Sequence, residues 1–309
     1  MRPAVYIPNF NGAHHLRRVL ASLRAQTRPI DVVLVDNGSS DESVALVREE
    51  FGEVEVLELG ENVGYGPAVN RALRRRPADP AIVLNNDTEC EPRFAEALLD
   101  AAGPGVAMVA GVLLQEGAPD RIDSAGVVAD RTLMGFDYLH GEPVEAARAA
   151  ADPLGPTGGA ALYRLEPFEA VGGFDERIFL YYEDLDLALR IVTTGGRCRL
   201  APSARALHAY SASLGAGSGA KYSRTGWSRG YMLRRYGVMS RPGLALRAVV
   251  AEGAICAGQL AMDRTAKGLA GRLRGWRDGA GLDRRGLPPQ DSLLDLSLLE
   301  ALRRRRRRR

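Results

Sequence analysis

Cysteine is scarce in this chain: 309 residues contain three, Cys90, Cys198 and Cys256. Their odd number, wide spacing and lack of any Cys-x-x-Cys pair exclude a disulfide framework and a zinc knuckle, and fit free thiols in a reducing compartment. A charged leader followed by an apolar stretch and a small-residue cleavage site is also missing, because the amino terminus reads straight into a strand at Ala4-Val5-Tyr6-Ile7. A cytoplasmic protein is expected on that ground. The densest apolar region, Leu244 to Met262, is broken by Arg247, Glu252 and Gln259, so no membrane span is expected. No Gly-x-Gly-x-x-Gly follows the first strand, which disfavours a dinucleotide-dependent oxidoreductase. Pro8-Asn9-Phe10-Asn11-Gly12 stands there instead, and it is not the basic, Gly-rich loop of a nucleotidyltransferase that makes nucleotide sugars. Charge of one sign is lacking too. The net charge is +3, of which Arg303 to Arg309 supply seven, leaving the body at 3 − 7 = −4 and no nucleic-acid-coating surface. No internal repeat is evident.

What is present begins with 46% hydrophobic residues, ample for a core in one large or two small domains. The first third alternates strand and helix patterns. Strands fall at Val5–Ile7, Val32–Val35, Val54–Leu59 and Ala81–Leu84, with helices at His15–Gln26, Glu42–Phe51 and Pro67–Arg75 between them. This βαβαβαβ order predicts four parallel strands under flanking helices, with ligands bound beyond the carboxyl ends of the strands. Polar loops occur at those ends: Asn9-Phe10-Asn11-Gly12, Asp36-Asn37-Gly38-Ser39-Ser40, Glu61-Asn62-Val63-Gly64 and Asn85-Asn86-Asp87. One such loop is an ordinary turn or cap, whereas four in succession point to a site.

Beyond Pro104 the pattern loosens. Residues 104 to 152, with short strands such as Val106–Val112 and polar loops between, read as an insertion shaping an acceptor cleft, followed by a strand at Ala160–Tyr163 and a short helix near Pro167–Val171. Ser211 to Gly219 reads as a flexible loop, the stretch to about Arg277 as a helical appendage, Gly279 to Asp291 as a linker, and Ser292 to Leu302 as a terminal helix. The basic helical region is expected either to lie on an anionic membrane surface or to pack as a lid.

Chemistry concentrates after Gly172-Gly173-Phe174-Asp175-Glu176, where Phe179-Leu180-Tyr181-Tyr182-Glu183-Asp184-Leu185-Asp186 sets carboxylates beside aromatics. Crowded carboxylates resist shared ionisation, so one should hold its proton to higher pH, and Asp184 is the leading candidate for a general base. Asp36, ending a buried strand, can accept bonds from a nucleobase imide or a ribose hydroxyl. Asp87, ending another, suits Mg²⁺ or Mn²⁺, which needs few protein carboxylates when diphosphate oxygens complete its shell.

Val35-Asp36-Asn37-Gly38-Ser39-Ser40-Asp41, Asn62-Val63-Gly64-Tyr65-Gly66-Pro67-Ala68-Val69-Asn70, Leu84-Asn85-Asn86-Asp87-Thr88 and Gly172 through Leu187 together resemble the family 2 glycosyltransferases, in the family's order and over about residues 4 to 236. Within that family the chain is most similar to bacterial rhamnosyltransferases of cell-wall and polysaccharide assembly. The resemblance implies a GT-A fold, an α/β architecture with a Rossmann-like, mostly parallel sheet and here a helical basic extension. It divides the chain into a nucleotide-sugar-binding half at 1–103, an acceptor-binding and catalytic half at 104–215, and the extension at 216–309. It also implies a nucleoside-diphosphate sugar donor, a divalent metal and an inverting single displacement onto a glycan or polyprenyl-linked acceptor, with peripheral membrane contact and no nucleic acid. By the same resemblance Asp36 holds the nucleoside, and Asn9, Asn37, Gly64, Asn70 and Asn86 line the donor. Asp87 and His208 bind the metal, Asp184 is the base, and Gly159 and Glu183 lie on the acceptor side. Asn85 departs from the pattern, standing where many relatives carry a first aspartate, which implies weak metal affinity without donor.

Overall fold

Ala4, Val5, Tyr6 and Ile7 have no solvent exposure at all. A strand apolar on both faces is one covered on both sides, and alternate residues feed opposite layers. The computed structural model, which describes residues 2–209 and 218–306, is built around that strand. In chain order the first elements are β1 (Ala4–Asn9), α1 (Ala13–Arg24), β2 (Asp31–Asp36), α2 (Ser43–Glu50), β3 (Glu55–Glu58), α3 (Tyr65–Arg75), β4 (Ala81–Leu84), β5 (Thr88–Cys90) and α4 (Phe94–Ala101). Then follow β6 (Val106–Gln115), β7 (Ala118–Ser124), β8 (Val127–Ala129), β9 (Gly135–Asp137), β10 (Ala160–Tyr163), α5 (Leu165–Ala170), α6 (Glu183–Thr193) and β11 (Arg197–His208). The carboxyl-terminal region holds α7 (Gly219–Arg235), α8 (Pro242–Asp263), α9 (Lys267–Asp278) and α10 (Leu298–Arg306). The loop expected at Ser211–Gly219 falls almost wholly outside the described residues, as do Arg307 to Arg309.

The main sheet runs β3-β2-β1-β4-β10-β6-β11-β5, with β7 added to β6, and β8 and β9 form a separate pair. The four expected amino-terminal strands are parallel, with Val5 opposite Val32 on one side and Ile82 on the other. Chain order reverses about β1, which places the loops after β1 and β4 at the switch point where open sheets bind ligands. Antiparallel β10 joins this half to the rest, pairing with β4 and β6, and β11 runs parallel to β6. Leu16, Leu20, Phe94 and Leu98 cover one face of the sheet. Val69, Leu73, Leu185, Leu189 and Tyr231 cover the other.

Four expectations are corrected here. The stretch read as an insertion contains β6, a ten-residue strand near the sheet's centre whose residues Val106 to Leu114 are all buried. Its unbroken apolar run is what a strand covered on both faces requires. The helical region is no loose appendage: a Cβ at Gly226, Gly230, Gly271 or Gly275 would strike the backbone of the facing helix, so α7 and α9 cross with their main chains in contact. Arg229 on α7 and Arg272 on α9 both donate to Glu252 on α8, at 2.6 Å each. Burial would raise the Glu252 carboxyl, but those two cations hold it down at about 2. The supposed linker carries Arg285 inward to Asp175 and Asp186, and the terminal helix starts only at Leu298.

By length and composition alone α8 is long and apolar enough to cross a membrane, a test that a packed helix also passes. Within the fold one side of it is occupied, with Ala248, Ala251, Glu252 and Gln259 buried. Leu246, Val249, Leu260 and Met262 are exposed.

Candidate active site

The loops after β1, β2 and β4 are tied together by short amides. Asn86 donates to Asn9 Oδ1 at 2.7 Å, Asn9 donates to Ser39 Oγ at 3.2 Å, and the Ser39 amide donates to Asp36 Oδ2 at 3.1 Å. The second carboxylate oxygen of Asp36, Oδ1, is buried with no protein partner. A buried acceptor left in that condition costs about 1–3 kcal/mol, and a ligand imide or hydroxyl at the end of β2 would recover it. Asp36, Asn9 and Asn86 therefore stand together as expected.

Two of the expected donor residues do other work. Asn37 accepts from the Val63 amide and donates to Asn62 Oδ1 and the Gly64 carbonyl, so its side chain braces one loop against the next. Asn70, buried on α3, donates to the Phe174 carbonyl at 2.9 Å and accepts from the Phe174 amide at 2.9 Å. Its amide is spent on the turn that leads toward Asp184. Gly64 has φ +96°, and a Cβ there would lie 2.5 Å from the Phe179 carbonyl oxygen. That same oxygen accepts from the Tyr65 amide, so Gly64 lets the Phe179 segment lie directly on the loop after β3.

From Phe179 the chain enters α6 through two left-handed residues in succession, Tyr181 at φ 70° and Tyr182 at φ 71°. Such backbone costs of order 1–3 kcal/mol per residue and persists where the surroundings enforce it, typically at functional sites. Glu183 and Asp184 follow in the first turn of α6. The Glu183 carboxyl is pushed up to about 8, by burial first and by the adjacent Asp184 second. Asp184 Oδ1 accepts from the Leu185 amide at 2.7 Å and Oδ2 from the Gly158 amide at 3.4 Å. The Gly158 carbonyl accepts from the Tyr65 hydroxyl, and the Gly159 carbonyl accepts from the Asn85 amide. Gly159 is close-packed, with Leu113 and Asn85 at 2.9 and 3.1 Å from where a Cβ would sit. Burial raises the Tyr65 hydroxyl well above its ordinary range, and the charges of Glu183, Asp184 and Asp87 raise it further. One tyrosine thus lies within electrostatic reach of the carboxylates from both halves of the sheet. Asp186 is not part of this group: it is fully buried and held by Arg190 at 2.9 Å, Tyr236 at 2.9 Å and Arg285.

Asp87 and His208, expected as metal ligands, are neighbours, with His208 Nε2 3.3 Å from Asp87 Oδ1. Pairing of β11 with β5 brings them together, with His208 opposite Thr88. His208 Nδ1 lies 2.7 Å from Asp123 Oδ2, and His140 Nδ1 lies 2.7 Å from the Asp123 carbonyl. Burial would lower the His208 imidazole, but Asp123 and Asp87 together lift it to about 10. Asp123 and His140 were not anticipated from sequence; only the register of β7 on β6 puts Asp123 behind His208. Among the described residues no group of three or more His, Cys, Asp and Glu side chains could hold an ion unaided. One carboxylate and one imidazole oriented by an outer carboxylate nevertheless fit a divalent ion whose remaining ligands come from a diphosphate.

Residues 4–172 match the sequence family described as glycosyl transferase family 2. The N-acetylglucosaminyl-diphospho-decaprenol L-rhamnosyltransferase of Mycobacterium tuberculosis is 34% identical over 219 residues, which cover 63% of this chain and 71% of that protein. The O-antigen biosynthesis protein RfbC of Myxococcus xanthus is 29% identical over 224 residues, 68% of this chain and 17% of the other. Among solved structures, the mannosyltransferase PcManGT of Pyrobaculum calidifontis, in complex with GDP-Man and Mn²⁺, superposes with a TM-score of 0.54 at 18% identity, covering 91% of this chain and 87% of that one. Fold and sequence agree: the chain belongs to glycosyl transferase family 2 and is a glycosyltransferase of the GT-A fold.

Proposed function

We propose that this enzyme transfers rhamnose from dTDP-rhamnose to a hydroxyl of a polyprenyl-diphosphate-linked or glycan acceptor, by a single inverting displacement at the cytoplasmic face of the membrane. The observation that carries the reading is that Gly158-Gly159 links Asp184, whose Oδ2 accepts from the Gly158 amide, to Asn85 in the loop after β4 that carries Asp87, with the Tyr65 hydroxyl on the same Gly158 carbonyl. A base and a leaving-group site on opposite edges of one cleft are what a direct displacement needs. The likeness to the mycobacterial rhamnosyltransferase supports the choice of sugar and of a diphosphate-linked acceptor.

Asp36 and the loop of Asn9 and Asn86 bind the nucleoside end of the donor, while Asn37 and Asn70 keep the surrounding loops in register. Asp184 takes the proton from the acceptor hydroxyl as its oxygen attacks the anomeric carbon, a step that requires the carboxylate within hydrogen-bond reach. Burial and the adjacent Asp184 raise the Glu183 carboxyl, which disfavours a second charge beside the base. Asp87 and His208 would hold Mg²⁺ or Mn²⁺, which when bound supplies positive charge to the departing diphosphate. Gly158 and Gly159 position Asp184 against Asn85.

A thermal-shift screen of nucleoside-diphosphate sugars with Mg²⁺ or Mn²⁺ tests the donor assignment, since a ligand of the native state raises its stability. Selective stabilisation by dTDP-rhamnose, lost in Asp87→Ala and Asp36→Ala, is the expected result. No shift with any nucleotide sugar would overturn the proposal.

A further inference from the structure

The glycine-packed crossing of α7 and α9 leaves a cavity of about 210 Å³ against the Phe179–Leu180 segment, and its wall carries Arg177, Arg224 and Arg274. Trp227 and Ser228 complete it, with Ser228 Oγ donating to the Leu180 carbonyl at 3.4 Å. None of the three arginines forms an ion pair among the described residues. The Arg224 guanidinium lies over the Phe179 ring at 4.0 Å, and Arg274 donates to Ser223 Oγ at 2.9 Å. The neighbouring carboxylates are already engaged. Asp278 accepts from the Trp227 indole at 2.8 Å, Glu176 from Asn70 and Arg74, and Asp175 from Tyr231 and Arg285. Three guanidinium groups, those of Arg177 and Arg274 exposed to solvent, thus line one small open pocket without an ion-paired carboxylate among the described residues, and planar guanidinium groups match phosphate oxygens in pairs.

The cavity shares no residue with the donor side. Its Phe179 wall is the segment that lies on Gly64 and runs into Glu183 and Asp184. On α9, beside Arg274, Leu273 is 64% exposed, and Leu269 one turn earlier is 47% exposed. Cationic cavity and exposed apolar strip together suit a ligand with a phosphate head and a hydrocarbon chain.

We propose that the cavity formed by Arg177, Arg224 and Arg274 binds the diphosphate of a prenyl-diphosphate-linked acceptor, with the chain leaving over Leu269 and Leu273. The proposal rests on the reading of the enzyme as one that glycosylates such an acceptor.

Calorimetry of the full-length protein with farnesyl diphosphate, in saturating dTDP so that the donor site is filled, tests it. Inorganic pyrophosphate, farnesol and phosphatidylglycerol vesicles are the comparison ligands. Farnesyl diphosphate is expected to bind, farnesol not to bind, and pyrophosphate to bind more weakly. Replacing Arg224 and Arg274 together by Gln is expected to weaken farnesyl diphosphate at least about tenfold while leaving dTDP affinity within about twofold. Arg177→Gln, on an exposed loop position, is a second variant expected to weaken binding should the double variant fail to fold. Unchanged farnesyl diphosphate affinity in the folded variants, equal binding of farnesol, or full competition by phosphatidylglycerol vesicles would overturn the proposal. Loss of nucleotide-sugar binding in a protein whose farnesyl diphosphate binding still follows the arginines would instead remove the function proposed above and leave this cavity as an anion site.

Discussion

Glu183 and Gly64 show how single positions carry the site's chemistry. The folded protein keeps the Glu183 proton to about 8, against about 4.5 for a free glutamate. Between those values the native state binds more protons than the unfolded chain, so this group's stabilisation is complete below about pH 4.5 and is lost as pH rises through 8. Glu183→Gln should therefore flatten the decline of Tm between pH 5 and pH 8, read by comparing melting curves of the variant and the parent. Gly64→Ala forces a Cβ toward the Phe179 carbonyl at a positive φ, and is expected to destabilise by about 1–3 kcal/mol in denaturant titration and to depress activity by displacing the Asp184 segment. Asp36, Asp87 and Asp184 stand out in the sequence because each sits in a run of polar residues after an apolar strand or at the start of a helix. That Asn37 and Asn70 bond neighbouring loops was not legible, because an amide bonds a ligand or a backbone equally well and sequence does not say which it faces. Asp123 lies outside any such run and meets His208 only through the pairing of β7 with β6, and His140, in the turn after β9, bonds the Asp123 carbonyl.

The amino-terminal strands stand out because β1, β2 and β4 carry near-continuous apolar runs, the signature of burial on both faces, while β3 at the sheet edge exposes Glu55 and Glu58. In β6 the apolar run Val106 to Val112 reads as a strand too, but its setting among short polar loops hides its full length and its place near the sheet's centre. Composition misled most at Gly279 to Asp291, where Gly, Pro and charge suggest a linker while one residue, Arg285, anchors the segment. Arg285 joins Asp175, before the catalytic segment, to Asp186 on α6, and its side chain is 16% exposed against 3% and 0% for the two acids. Removing one member of a buried charge group strands the others, so Arg285→Ala is expected to cost about 3–5 kcal/mol in denaturant unfolding, with Arg285→Lys intermediate because an ammonium cannot bridge both acids as a guanidinium does. The α7–α9 crossing makes a parallel prediction. Gly275→Ala should lower Tm by several degrees, because the facing Trp227 carbonyl leaves no space for a methyl group.

Charge and apolar surface divide the protein unevenly. The body is acidic by four charges and the terminal arginine run supplies seven positive ones. Among the described residues, eight of the nine large apolar side chains that remain exposed lie between Leu246 and Leu299. That distribution supports peripheral attachment through the carboxyl-terminal helices, which would bring the cleft to a membrane-borne acceptor. Co-sedimentation with phosphatidylglycerol vesicles is expected at low salt and should weaken as ionic strength rises, with phosphatidylcholine vesicles binding less. The central claim is direct displacement with Asp184 as base. Single-turnover transfer from dTDP-rhamnose to a synthetic N-acetylglucosaminyl-diphosphoryl-prenol, measured beside donor binding, tests it. Asp184→Asn should bind donor as the parent does while transfer falls by about 100- to 10,000-fold. Transfer by Asp184→Asn at near the parental rate would contradict it.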